Sequence, residues 1–135
     1  MAFKFEKLEI WQQSLDYAEL AYEIADQLPV AERYNLSDQL RRASTSISLN
    51  IAEGSTGQTD KEQSRFLGIA LRSLIETVAC IHLIKKRNYC KTEEARKRLN
   101  NLYKEANVLA ARIQAMRNSL TDRVGERRIE YLIDE

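Results

Sequence analysis

The chain is poor in residues that break helices, with 1 proline and 4 glycines among 135 residues. Many short strands would need more turns than that, so an all-α protein is expected. Cysteine is scarce too. Cys80 and Cys90 make no disulfide framework, which fits a reducing cytoplasm. A single histidine, His82, restricts metal chemistry and base catalysis together. An excess of one charge is missing: the formal net charge is +1, so no bulk basicity announces a nucleic-acid partner. The most apolar stretch, Phe66 to Ile84, is interrupted by Arg72, Glu76 and His82, and a membrane span would bury both charges in hydrocarbon. No membrane association is expected. The N-terminus has no apolar segment followed by a cleavage site, so no leader is expected either.

What is present is helical periodicity. At 44% hydrophobic and 30% charged, the chain suits one globular domain with its own core. The spacing predicts an antiparallel up-down-up-down four-helix bundle, with helices at about 7–27, 36–54, 60–88 and 93–120. On helix one, Leu8, Trp11, Leu15, Ala18, Tyr22 and Ala25 form the expected inner seam, and Leu28-Pro29 ends it. Helix two, capped by Asn35, carries Leu36, Leu40, Ala43, Ile47 and Ile51 as one stripe. Small residues surround that stripe (Ser44, Thr45, Ser46, Ser48 and Ala52) and invite close neighbours, while Gly54 is expected to close the helix in a left-handed cap.

Helix three opens at the capping box Thr59-Asp-Lys-Glu62 and has Asn88 as its left-handed terminus. It carries two adjacent seams. One is Phe66, Ala70, Ser73, Thr77, Cys80 and Ile84; the other is Leu67, Leu71, Leu74, Val78 and Ile81. That width predicts burial by more than one chain. Helix four, capped by Thr92, keeps a single seam of Leu99, Leu102, Ala106, Leu109, Ile113, Met116 and Leu120. The bundle is therefore assigned to 1–120. The charged tail 121–135, with Ile129, Leu132 and Ile133 as its apolar group, reads as a short helix or as disordered.

A search for reaction chemistry finds no catalytic set, no cofactor cradle and no metal ligand set. A di-metal bundle needs Glu-x-x-His pairs, and the residue three before His82 is Ala79. Cys80 and His82, two apart on a helix, point in nearly opposite directions. Gly54-Ser-Thr-Gly57 lacks the lysine of a phosphate loop. No enzymatic activity is expected.

Two polar groupings remain. Helix one is acidic, with Glu6, Glu9, Asp16, Glu19, Glu23 and Asp26 against Lys4 and Lys7. Later come Lys85, Lys86, Arg87, Lys91, Arg96, Lys97 and Arg98, an asymmetry suited to orienting a partner or another subunit; solvated helix faces and ends are the plainer reading of such a run. The second grouping is Arg41, Arg42, Asn50, Glu53, Arg72 and Glu76. Its members are expected to set register between helices or subunits, since half-buried charges persist only when paired. Arg72 and Glu76 are spaced to pair with each other. A small polar site at the mouth of the bundle is the functional alternative.

Leu8-Glu-Ile-Trp11, Leu40-Arg-Arg-Ala43, Ser46-Ile47, Asn50-Ile-Ala-Glu-Gly54, Arg65-Phe66-Leu67, Ala70-Leu71 and Ser73-Leu74 together resemble the bacterial four-helix-bundle proteins encoded in 23S rRNA intervening sequences. The likeness runs from about Phe5 to Leu120, and departs at Ser48, where the family commonly has proline. The resemblance implies an up-down-up-down bundle without enzymatic activity. A distant relative, the accessory variability protein of diversity-generating retroelements, forms a pentameric barrel that binds reverse transcriptase and RNA. By that resemblance a homopentamer is expected here, although the relative's strongly basic character is missing, and the candidate RNA contact it implies is Lys85, Lys86, Arg87 and Lys91 with Arg96, Lys97 and Arg98 nearby on helix four. The function expected is thus a non-enzymatic homo-oligomeric scaffold binding structured RNA, with a protein-binding adaptor free of nucleic acid as the alternative.

Overall fold

The structure is a computed structural model that describes residues 3–57 and 59–134, with side chains through 121. A 3₁₀ turn at Lys4–Lys7 leads into α1 (Glu9–Asp26). A second 3₁₀ turn, Val30–Glu32, precedes α2 (Leu36–Gly54), and α3 (Asp60–Lys86) and α4 (Glu93–Asp134) follow. No strand occurs among the described residues. Each helix packs on its neighbours in sequence, and α4 closes the ring against α1.

Cross-helix bonds show the chain directions. Tyr22 meets Thr45 while Asp26 meets Arg41. On the next pair, Ser46 meets Ser73 and Ser55 meets Gln63. His82 stacks edge-on with Tyr103, and Ser64 accepts from Arg117. In each pair the residue number rises on one helix as it falls on the other, which is the pattern of an up-down-up-down bundle.

The periodic stripes of α2 and α4 are where the spacing put them. Leu40, Ile47 and Ile51 are fully buried, as are Leu102, Leu109 and Ile113. Thr59 caps α3 by accepting from the Glu62 amide at 3.1 Å, and Thr92 caps α4 by accepting from Ala95 at 3.0 Å. Asn35 stands at the start of α2 but caps nothing there; its amide donates instead to Glu32 Oε1 at 3.0 Å.

Helix one is rotated from its expected seam. The buried stripe is Ile10, Ser14, Tyr17, Ala21, Ile24 and Ala25, whereas Leu15 and Tyr22 are 41% and 38% exposed. Two interleaved stripes share this period, and the buried one includes polar members whose hydrogen bonds are satisfied. Ser14 donates to the Trp11 carbonyl at 2.5 Å, and the Tyr17 hydroxyl sits 2.7 Å from Thr77 Oγ1.

Gly54 also differs from expectation. It is the last helical residue and has no left-handed conformation; the cap position is Ser55, with φ −105°. A Cβ at Gly54 would lie 2.8 Å from the Cβ of Phe66. The glycine is there for close approach of α3.

The double seam of α3 does not require a second chain. Leu67, Ala70, Leu74, Thr77, Cys80, Ile81 and Ile84 are buried within the single bundle, and Leu71 and Val78 pack against its core. Helix α3 touches α2 and α4 and reaches across the core to α1 through Thr77, so one chain covers most of a wide surface. It is also the one described helix long and apolar enough to cross a membrane, but its apolar stripe forms the middle of the bundle. The backbone of α4 continues to Asp134 through the charged tail. Packing of Ile129, Leu132 and Ile133 lies outside the described side chains.

Candidate nucleic-acid interface at the turn between helices three and four

The basic cluster sits where α3 turns into α4. Asn88 takes φ +56°, and the turn closes by Asn88 N–H to the Lys85 carbonyl at 3.0 Å and Tyr89 N–H to the Ile84 carbonyl at 3.2 Å. These two bonds form a Schellman closure, which satisfies the last carbonyls of α3. Asparagine is tolerated in this left-handed conformation where branched residues are not. Asn88→Gly should therefore keep stability, while Asn88→Val should lose about 1–2 kcal/mol in urea unfolding. Equal stabilities would show that the turn does not depend on the conformation at this position.

The seven candidate cations are not equivalent. Lys97 and Arg98 hold Glu93 and Glu94 of their own helix at 3.8 and 2.7 Å, and Arg98 also reaches Gln27 of α1 at 2.7 Å. Arg96 ties the turn, donating to the Cys90 and Lys91 carbonyls at 3.3 and 3.2 Å. Arg87 donates to the Tyr89 hydroxyl at 3.3 Å. Lys85, Lys86 and Lys91 are exposed, and no ion pair engages them among the described residues. Lys85 and Arg96 share a cavity of about 130 Å³ with Asn88 and Cys90. Burial pushes the Cys90 thiol up, with Arg96 pulling the other way, and burial likewise pushes the Cys80 thiol up. Both cysteines are therefore poor nucleophiles.

Residue spacing missed what the first loop adds. Glu32, in the loop between α1 and α2, accepts from the Tyr89 hydroxyl at 2.6 Å. That bond, then the Asn35 amide, holds the Glu32 carboxyl below its usual range. Arg33 and Arg41 line the groove beside this loop with Asp26 and Pro29. In an up-down bundle the first and third connections share one end, and that topology was the only available signal. The end surface is thus mixed: three free lysines among carboxylates that already have partners.

The second polar grouping separates into three kinds. Arg41 binds Asp26 of α1, and Asn50 donates to the Ser46 carbonyl at 2.8 Å and to its hydroxyl at 3.0 Å. Ser46 in turn accepts from Ser73 of α3 at 2.8 Å, so these groups do connect helices. Arg42 pairs with Asp38 of its own helix at 3.1 Å. Glu53, Arg72 and Glu76 are exposed, and no ion pair joins Arg72 to Glu76 among the described residues. Arg41 shares the end of the bundle with the basic cluster, Asn50 and Arg72 lie along the side, and Glu53 stands in the last turn of α2 toward the opposite end.

Among the described residues no group of three or more His, Cys, Asp or Glu is placed to hold a metal. Comparison with curated proteins returns no match. Residues 6–117 match the family described as 23S rRNA-intervening sequence protein, which spans most of the chain and coincides with the packed helices. This protein belongs to the 23S rRNA-intervening sequence protein family.

Proposed function

We propose that the chain is a non-enzymatic, homo-oligomeric scaffold, pentameric by the resemblance drawn above, that holds structured RNA at the end bearing the α3–α4 turn. One observation carries the RNA reading. Lys85, Lys86 and Lys91 are exposed cations without ion pairs among the described residues, on a turn whose backbone is closed by its own hydrogen bonds. Phosphate contacts ask for such placement and need no base-reading groups. The non-enzymatic reading rests on the sequence, whose single histidine, His82, lies exposed with its ring edge-on to Tyr103.

The family's name makes an rRNA fragment the natural probe. Anisotropy titration of a structured 23S rRNA fragment should show affinity falling steeply with salt, with a log–log slope on the order of −2 to −3 for about three phosphates. Lys85→Glu, Lys86→Glu and Arg87→Glu together should abolish binding. Unchanged affinity in that variant refutes the assignment.

A second reading, a protein-binding adaptor, is favoured by an apolar face on α1 and α2, where Leu15, Tyr22 and Leu49 are 41%, 38% and 63% exposed. Complexes that survive nuclease and moderate salt, and that are lost in Leu49→Glu, would move the assignment there.

A further inference from the structure

The helices leave two grooves of opposite charge on either side of α4. Between α3 and α4 lies a groove of about 490 Å³ lined by Arg65, Arg72 and Arg117 over Ile69, Leu71 and Ile75. No carboxylate lines it. Between α1 and α4 lies one of about 420 Å³ lined by Asp16, Glu19, Glu23 and Glu105 around Leu20, and no cation lines that one.

The charges in both grooves are largely unspent within the chain. Arg65 pairs with Glu62, but no ion pair engages Arg72, Arg117, Asp16, Glu19, Glu23 or Glu105 among the described residues. Arg117 is also held in place. Its Nε donates to the Ser64 carbonyl at 3.2 Å, and its guanidinium lies close over Gly68 of α3, where a Cβ would be 2.9 Å from the nearer terminal nitrogen. A fixed, half-buried guanidinium with no counter-ion among the described residues is suited to a carboxylate supplied from outside. The apolar floor supports contact rather than simple solvation, because Ile75 is 66% exposed in the single chain.

We infer that the basic α3–α4 groove of one copy receives the acidic α1–α4 groove of the next. The inference rests on the homo-oligomeric reading above and names the surfaces that would carry it. Two different patches on one chain make a head-to-tail contact, which generates a ring or a filament rather than a two-fold dimer. Charge complementarity of this kind fixes partner and register.

The test is charge reversal read by native mass spectrometry and light scattering of the full chain, with circular dichroism confirming the helices of each variant. Arg72→Glu is one variant and Glu19→Arg with Glu23→Arg the other; all three positions are exposed, so folding should survive. Each variant should weaken assembly about tenfold or more, and the chain carrying all three changes should recover part of that loss, since the carboxylate placed at position 72 then meets the guanidiniums placed at 19 and 23 while Arg65, Arg117, Asp16 and Glu105 keep their signs. Leu49→Glu, on the other face, should leave assembly intact. A wild-type chain that stays monomeric overturns both this inference and the homo-oligomeric reading. A wild-type oligomer indifferent to both reversals, or lost only in Leu49→Glu, overturns the groove pairing alone.

Discussion

Thr77→Val should lower the unfolding free energy by about 1–3 kcal/mol, although it changes neither side-chain volume nor the helix. Thr77 is fully buried on α3, and its hydroxyl is shared between the Leu74 carbonyl at 2.6 Å and the Tyr17 hydroxyl at 2.7 Å. Removing it strands the tyrosine oxygen in the core of α1, and an unmade hydrogen bond there costs more than a made one contributes. Adding Tyr17→Phe to Thr77→Val should therefore restore most of the loss, because neither partner then remains to be satisfied. Urea unfolding of both variants, with unchanged denaturant slope, reads the effect. A double variant as unstable as the sum of the singles would refute the coupling.

The same tyrosine makes a pH prediction. Burial pushes the Tyr17 hydroxyl up to about 12, against the lowering effect of its bond to Thr77. A group with a raised folded pKa stabilises fully below its unfolded value near 10, and that contribution is lost as pH climbs to about 12. Wild type should thus lose about 2–3 kcal/mol more than Tyr17→Phe between those pH values.

Gly54→Ala should also destabilise, by about 1–3 kcal/mol, despite alanine's better helix propensity. The atom a new methyl would strike is the Phe66 Cβ, at 2.8 Å, with the Gln63 carbonyl oxygen 3.3 Å away. Neither is the end of a flexible side chain, so relief requires α2 and α3 to move apart. Phe66→Ala keeps the offending Cβ and should not rescue the variant; Gly54→Val should be worse. A Gly54→Ala chain as stable as wild type would show that the helices are not held this closely. The Asn-Ile-Ala-Glu-Gly run thus ends in glycine for packing, not for turn geometry.

Helix number, the caps at Thr59 and Thr92, the left-handed Asn88 and the seams of α2 and α4 were all legible in residue order. Each depends on contacts within a few residues or on one unambiguous stripe, so local chemistry suffices. The basic cluster was legible as composition, but which lysines stay unpaired depends on neighbours from the other helices and loops.

Tertiary structure alone decided the rest. On α1 two stripes satisfy the same period and both tyrosines find a threonine hydroxyl, Tyr17 that of Thr77, 60 residues away, and Tyr22 that of Thr45, so the packing of the other helices settles which one turns inward. On α3 the spacing measured how wide the apolar surface is, but only packing on three neighbours showed that one chain covers most of it. The chain order of the amino acids determines which faces are apolar and where helices begin; which face turns inward is settled by partners distant in sequence, because burial of a polar atom is affordable only where another helix brings its hydrogen bond.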